Sequence, residues 1–179
     1  MTDWSVTAVS GLRWLSCLLL STLLWADVLS AQETGSHARG CELSPLNGPA
    51  PETWSAFEGK LVYVDFWASW CLPCLRSFPF MMELAAETGY SELQIVAVNL
   101  DEDLDAARDF LADHQLQDPA RGILAVVDET KACARAFGVT AMPSSYLIDR
   151  TGVIRYQHRG FRPADEQIVR AQILKLLEE

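Results

Sequence analysis

The sequence predicts an α/β domain in which a central mixed β-sheet is flanked by helices, behind an N-terminal signal or anchor segment. Apolar runs with strand character alternate with amphipathic helical stretches, in the order β-α-β-α-β-α-β-β-α. The last two strands are separated only by the turn Arg150-Thr151-Gly152, which indicates an antiparallel hairpin at the end of the chain. With 179 residues, half of them hydrophobic, the chain is long enough for one domain with a proper core.

The first 31 residues are expected to be a signal peptide. The run Trp14–Trp25 carries no charge, follows Arg13, and is shorter than the stretch of about 20 apolar residues that spans a bilayer. Small residues in Val28–Ala31 offer a cleavage site. Because Asp3 offsets Arg13, an uncleaved anchor in the inner membrane is the alternative. In either case we expect a periplasmic or otherwise extracytoplasmic protein, since disulfides form and persist there.

The charge of the chain bounds its partners. The net charge is −10, and the positive residues form no basic cluster. A chain of this kind is a poor match for nucleic acid or for an anionic membrane surface. Contact with a membrane is therefore expected only through an N-terminal anchor.

Residues 32–59 are expected to form a lead-in and loop before the domain proper. Cys41-Glu42-Leu43 has the character of a short first strand. The stretch Ser44–Pro51 holds three prolines and a glycine, which indicates turn and loop. Thr53–Phe57 is consistent with one helical turn.

The remainder, residues 60–179, is expected to be the folded domain. β-Branched and aromatic residues predict its strands, and apolar residues three and four apart predict its helices. The predicted strands are Leu61–Trp67, Leu93–Asn99, Ile123–Val127, Ser145–Ile148 and Val153–His158. The predicted helices are Leu72–Thr88 (closed by Gly89 and kinked at Pro79), about 101–114, Lys131–Phe137 (closed by Gly138), and one from Pro163 whose apolar side is Ile168, Ala171, Ile173, Leu174 and Leu177.

Cys71 and Cys74 form a Cys-x-x-Cys pair at a predicted strand-to-helix turn. Cys71 falls at the helix N-terminus, where unpaired N–H groups and the helix dipole favour the thiolate and should lower its pKa. Cys74 lies one turn further in. A nucleophile and a more buried resolving thiol are what thiol–disulfide exchange requires.

A zinc site is the competing interpretation of the pair, and it needs two more ligands. Cys41 and Cys133 are single and far apart in sequence, and His37, His114 and His158 match no ligand spacing. We therefore expect no metal and no cofactor. If cleavage follows Ala31, Cys17 is lost and four cysteines remain.

Two further residues near the pair stand out. Asp65 is an acid inside an apolar strand, which is costly unless it has a task or a partner. The alternative is an aspartate satisfied at a strand edge. Trp70 is expected at the rim of the site, in contact with partners, whereas Trp67 is expected to pack in the core.

Four stretches carry a resemblance to a known family. They are Val64–Cys74 followed by Phe78-Pro79, Ile95–Asp101, Phe137–Ser144, and Tyr146–Gly152. Together they cover most of the chain from Lys60 to Phe161. This pattern resembles the thioredoxin fold and, more narrowly, the extracytoplasmic TlpA/ResA-like thiol–disulfide oxidoreductases.

The resemblance implies roles for three residues. Met142–Pro143 would be a cis peptide against the cysteine pair, leaving the Met142 backbone to bind an extended substrate segment. Asp65 matches the buried acid behind the second cysteine and would take the proton of Cys74, with a pKa raised by burial.

The sequence departs from the family at three places. Val98 takes the position in our alignment where thioredoxins often carry a lysine near the buried acid. Ser77 stands where ResA-like reductases often have a glutamate. The pair Leu72-Pro73 between the cysteines has neither charge nor imidazole, which favours a reductase over a strong oxidant.

Cys41 and Cys133 have two interpretations. Cys133 lies on the same helical face as Phe137 and could be a buried free thiol. Alternatively the two form a structural disulfide, which an oxidising compartment and an even cysteine count favour.

The sequence therefore predicts a periplasmic thiol–disulfide oxidoreductase that reduces disulfides of partner proteins. Apocytochrome c or copper-site proteins are family-typical substrates, and a membrane thiol reductase is the expected electron donor. The alternatives are an oxidase or isomerase with the same fold, and a metal-delivering binding module that uses Cys71 and Cys74.

Overall fold

The computed structural model describes residues 34–179, apart from 39, 50–53, 89–91, 117, 119 and 121. The expected signal peptide and the expected helix stop at Gly89 lie outside the described residues. Within the described part, no helix is both long enough and apolar enough to cross a membrane.

Six strands form one mixed sheet, and four α-helices pack against it. The strands are β1 (Ser44–Pro45), β2 (Leu61–Trp67), β3 (Leu93–Asn99), β4 (Ile123–Val127), β5 (Ser144–Ile148) and β6 (Ile154–Arg159). The helices are α1 (Leu72–Thr88), α2 (Leu104–Asp113), α3 (Ala132–Ala136) and α4 (Asp165–Leu177), and a 3₁₀ helix spans Trp54–Phe57. The predicted thioredoxin-like α/β fold is thereby confirmed.

The sheet order is β1-β4-β3-β2-β5-β6. The strands β2, β3 and β4 are parallel, while β5 and β6 join as the antiparallel hairpin that the sequence predicts. Because β2 lies at the centre, its carboxyl end is surrounded by the ends of β3 and β5. The redox pair follows this end directly.

The first strand differs from its prediction. Cys41–Leu43 is not a strand, and the strand is the following pair Ser44–Pro45, which pairs with Val126 and Val127 at the edge of the sheet. A proline without an N–H is tolerated there because an edge strand has one unpaired side.

The two faces of the sheet bury separate apolar clusters. Alternate β2 residues Leu61, Tyr63 and Trp67 pack with α1, α2 and α4, in a cluster that includes Cys71 and Cys74; we call this the redox face. The intervening residues Val62, Val64 and Phe66 pack with α3 and the N-terminal segment, around Cys133 and Phe137; we call this the staple face. The period of two along a strand fixes which residue reaches which face.

The prediction for the apolar side of α4 was right for Ile173, which is buried, and for Leu177, which packs against the core, and wrong for Ile168, Ala171 and Leu174. Val169, Ile173 and Leu176 are buried, while Ile168 and Leu174 are about half exposed. Apolar residues occur in adjacent pairs in this helix, so two neighbouring stripes were available. The stripe at spacings of four and three residues is the one that faces the core.

Candidate active site

The redox pair sits at the turn between β2 and α1. The Cys71 N–H donates to the Ala68 carbonyl at 3.0 Å, and α1 begins at the next residue, Leu72. Cys71 and Cys74 are joined as a disulfide with their Cα atoms 5.3 Å apart. The Cys74 N–H points at the Cys71 sulfur at 3.3 Å, as it would toward the side chain of an N-cap residue.

The two cysteines are much less exposed to solvent than the residues on either side of Cys71. Cys71 is 4% exposed and Cys74 is fully buried, whereas Trp70 and Leu72 are 69% and 71% exposed. The buried Cys71 is therefore flanked in sequence by two exposed apolar residues.

Asp101 fixes the loop that leads to Cys71. Its carboxylate accepts hydrogen bonds from the Ser69 N–H at 2.8 Å, from the Ser69 hydroxyl at 3.2 Å, and from the Asn99 amide at 2.7 Å. Asp101 is only 4% exposed, and the Lys131 ammonium donates to its carbonyl at 3.0 Å. The turn before Cys71 is thus tied to the end of β3 and, through Lys131, to the segment after β4.

Asp65 is completely buried on the redox face. Its Oδ1 accepts a hydrogen bond from the Ser145 hydroxyl at 2.8 Å, and Ser145 in turn accepts one from Tyr63 Oη at 2.9 Å. In the part of the chain that the structure describes, Oδ2 is buried and has no hydrogen-bond partner. Burial raises the pKa of Asp65 to about 7, and the Ser145 hydrogen bond opposes that rise.

The residue beside Asp65 on β3 is Ala97, not Val98. Asp65 is in register with Ala97, while Val98 is paired with Phe66 and lies on the staple face. The expectation that no lysine faces the acid from this strand stands, but for a different residue than the alignment indicated. A shift of one residue exchanges the two faces of a strand.

The Met142–Pro143 peptide bond is cis. Pro143 is buried and accepts a hydrogen bond from the Gly160 N–H at 2.8 Å through its carbonyl. Met142 is half-buried and packs against the cluster that contains both redox cysteines. This segment leads directly into β5, the strand that carries Ser145.

Cys41 and Cys133 are joined as a disulfide on the staple face, with Cα atoms 5.3 Å apart. Cys133 is fully buried, and the Trp54 indole N–H donates to the Cys41 sulfur at 3.1 Å. This bridge links the N-terminal segment to α3, on the opposite side of the sheet from Cys71 and Cys74.

A cavity of about 640 Å³ lies at the far end of β2, away from the redox pair. Its lining includes His37, Trp54, Val62 and Arg150. None of the redox residues borders it. Among the described residues, no three His, Cys, Asp or Glu side chains come together as a metal site.

Sequence reasoning missed Ser145, Tyr63 and the Asp101 network. Ser145 lies 80 positions from Asp65 in sequence, and only the pairing of β2 with β5 brings them together. The available signal was weak: two serines open an otherwise apolar strand. Asp101 carried the family resemblance, but nothing in its spacing pointed to Ser69.

Comparison with known proteins places this geometry in a family. The family described as Redoxin matches residues 33–173. A thiol-disulfide oxidoreductase ResA of Bacillus thuringiensis subsp. konkukian is 30% identical over 128 residues, which cover 72% of this chain and 70% of that protein. The thiol:disulfide interchange protein CycY of Rhizobium leguminosarum bv. viciae is 38% identical over 108 residues, covering 60% and 54% of the two chains.

Solved structures agree. A protein from Chlorobium tepidum, assigned as a thiol:disulfide interchange protein DsbE, superposes with a TM-score of 0.73 and 41% identity, over 82% of this chain and 99% of that one. The fold, the disulfide-forming pair at the turn and these relatives lead to one assignment. The chain belongs to the Redoxin family, as a TlpA/ResA-like thiol–disulfide oxidoreductase of the thioredoxin superfamily.

Proposed function

We propose that this chain reduces disulfides of partner proteins, in the periplasm or another extracytoplasmic space, through Cys71 and Cys74. The observation that carries the proposal is the unpartnered Oδ2 of Asp65, a buried acid on the same face of the sheet as Cys74. A group with a pKa of about 7 can accept and return a proton near neutral pH.

The reaction balances in two exchange steps. The Cys71 thiolate attacks a partner disulfide, forming a mixed disulfide and releasing one partner thiolate. Cys74 then gives its proton to Asp65, directly or through water, and its sulfur attacks Cys71. The second partner sulfur leaves as a thiolate and takes up a proton, and the Cys71–Cys74 disulfide remains.

Three residues form the proposed binding surface for the partner. The Met142 backbone would pair with an extended segment of the substrate, next to Pro143. Trp70, which is 69% exposed, would cover the apolar side of that segment. Apocytochrome c or a copper-site protein would fit as substrate, by resemblance to the family.

The reductive direction rests on Leu72 and Pro73, which supply no charge or imidazole to stabilise the Cys71 thiolate. Turnover in an oxidising compartment requires an electron donor, and we propose a membrane thiol reductase. We also propose that residues 1–31 direct export of the chain, either as a cleaved signal peptide or as a retained membrane anchor.

The reduction potential of the Cys71–Cys74 pair tests the direction. The full chain would be equilibrated with glutathione or dithiothreitol buffers, and peptide mass spectrometry would count this pair separately from Cys41 and Cys133. A potential at or below about −200 mV supports a reductase. A potential near about −120 mV would instead assign disulfide formation to the chain.

Trapping tests the class of partner. Cys74→Ser should accumulate a mixed disulfide at Cys71 with exported proteins in the native compartment, because the resolving thiol is gone. If the chain is a metal-delivering module, the Cys74→Ser variant should form no mixed disulfide. The natural chain, once reduced, should then bind one equivalent of copper or zinc through both cysteines.

A further inference from the structure

Asp65 is held by only one of its two carboxylate oxygens. Oδ1 lies 2.8 Å from the Ser145 hydroxyl, while Oδ2 has no partner. Both residues are buried: Asp65 is fully buried and Ser145 is 2% exposed. A carboxylate held in this way cannot rotate freely, so its open oxygen keeps one direction.

The hydrogen-bond chain behind Asp65 has a fixed polarity. Tyr63 Oη donates to Ser145 Oγ at 2.9 Å. A serine hydroxyl has a single proton, and the donation from Tyr63 leaves that proton for Asp65. Burial and the nearby Asp65 charge raise the pKa of Tyr63 well above its usual value, so its hydroxyl stays protonated and keeps donating.

We propose that Ser145, supported by Tyr63, is a positioning residue of the redox centre that holds Asp65 by Oδ1 and leaves Oδ2 free for the Cys74 proton. This inference rests on the proposed role of Asp65 as proton acceptor. The proton moves from Cys74 Sγ to Oδ2 as the sulfur attacks Cys71, and it leaves for solvent after product release. Ser145 itself neither gains nor loses a proton.

Other titratable groups on the redox face include Tyr63 on β2, Tyr156 and His158 on β6, Cys71 and Cys74 at the start of α1, His114 after α2, and Asp165 at the start of α4. His158 and Arg162 contact Asp165 at 3.2 Å, and His114 stacks on Phe110. Arg170 of α4 lies over Phe80 and pairs with Glu83 and Glu87 of α1. Of the residues that the structure describes, only Ser145 donates a hydrogen bond to the Asp65 carboxylate. The pH response of Asp65 should therefore change when this donor is removed.

The resolution step tests the inference. The reduced full chain is mixed with a small aromatic disulfide between pH 5 and 9, and the second thiol release, which reports attack by Cys74, is followed by stopped flow. Peptide mass spectrometry assigns that phase to the Cys71–Cys74 disulfide. Ser145→Ala should move the midpoint of the rate up by about one pH unit and slow resolution about fivefold at pH 7.

Three further variants make the result specific. Tyr63→Phe should give a smaller shift in the same direction. Ser144→Ala removes a buried hydroxyl from the same strand, bonded to the Ala141 carbonyl at 2.7 Å, and should leave the midpoint unchanged. In an Asp65→Asn background, Ser145→Ala should have no further effect on the pH profile.

The pH profiles of these variants distinguish the positioning role of Ser145 from the proton-acceptor role of Asp65. If Asp65→Asn alters the pH profile and Ser145→Ala does not, the positioning role is wrong and the proton acceptor stands. If Asp65→Asn leaves the profile unchanged, the acceptor role fails and the inference falls with it. The result does not depend on whether the chain is a reductase or an oxidase, because in both cases Cys74 resolves the mixed disulfide formed with a small disulfide.

Discussion

Asp65 binds a proton more tightly in the folded protein than in the unfolded chain. Its pKa rises from 3.8 to about 7 because burial disfavours the charged form. Between these values the folded state retains a proton that the unfolded state has lost. Stability from this residue is therefore greatest below about pH 4, falls as pH rises through the interval, and levels off above about pH 7.

Asp65→Asn should consequently stabilise the protein in a pH-dependent way. The advantage over the natural chain should be small near pH 4, grow toward pH 7, and then stay level at roughly 4 kcal/mol or less. Urea unfolding of the oxidised full chain at several pH values measures it. An advantage that did not change with pH would show that Asp65 keeps its ordinary pKa.

At the residue scale, sequence patterns identified the cysteine pair and the buried acid, but not the residue that forms a hydrogen bond with that acid. Cys71, Cys74 and Asp65 could be predicted because each is unusual where it stands: a spaced cysteine pair after a strand, and an acid within an apolar run. Ser145 could not, because a serine in a strand is common and its importance comes from a partner on another strand.

The loop between β2 and α1 depends on Asp101. Asp101→Ala would leave the buried Asn99 amide and the half-buried Ser69 N–H without their acceptor, which costs about 1–3 kcal/mol. The turn that orients Cys71 would loosen, and exchange with a small disulfide should slow about tenfold.

The matched control is Asp103→Ala, two residues further along. Asp103 is an exposed N-cap of α2 that accepts from the Asp105 and Ala106 N–H groups. Its loss should cost about 1 kcal/mol of unfolding free energy and leave the exchange rate alone. Equal slowing in both variants would mean that Asp101 acts through general stability and not on the turn.

At the element scale, the presence and order of the main strands and helices could be predicted from the sequence. The side of a helix that faces the core could not. Strands β2 to β5 and helix α1 follow from strong local patterns. In α4, paired apolar residues allowed two stripes, and packing on the sheet selected Val169, Ile173 and Leu176. Contacts that involve another element decide such choices, and a local pattern does not contain them.

On the scale of the whole molecule, the Cys41–Cys133 bridge closes a separation of 92 residues. In the chain-entropy account, a loop of this length stabilises the fold by about 4 kcal/mol. Cys41→Ser and Cys133→Ala should therefore each lower the unfolding free energy by a similar, large amount, measured by urea unfolding without reductant.

The redox pair provides the comparison for this prediction. Its loop spans only three residues, so Cys71→Ser with Cys74→Ser should cost far less. In reductant, the natural chain and the Cys41→Ser variant should unfold at the same midpoint, because the redox pair is then open in both. A loss in Cys41→Ser that Cys133→Ala did not reproduce would exclude the bridge as its cause.

The short strand β5 also constrains how this family member can diverge. Two residues separate the proposed docking residue Met142 from Ser145, and the side chains of the strand alternate between the two faces. Inserting or deleting one residue after Pro143 would turn Ser144 or Tyr146 toward Asp65 in place of Ser145. Substitution within the proposed docking segment can therefore change the contacts with a partner and leave Asp65 alone, whereas a change in the length of the segment would also remove the serine that contacts Asp65.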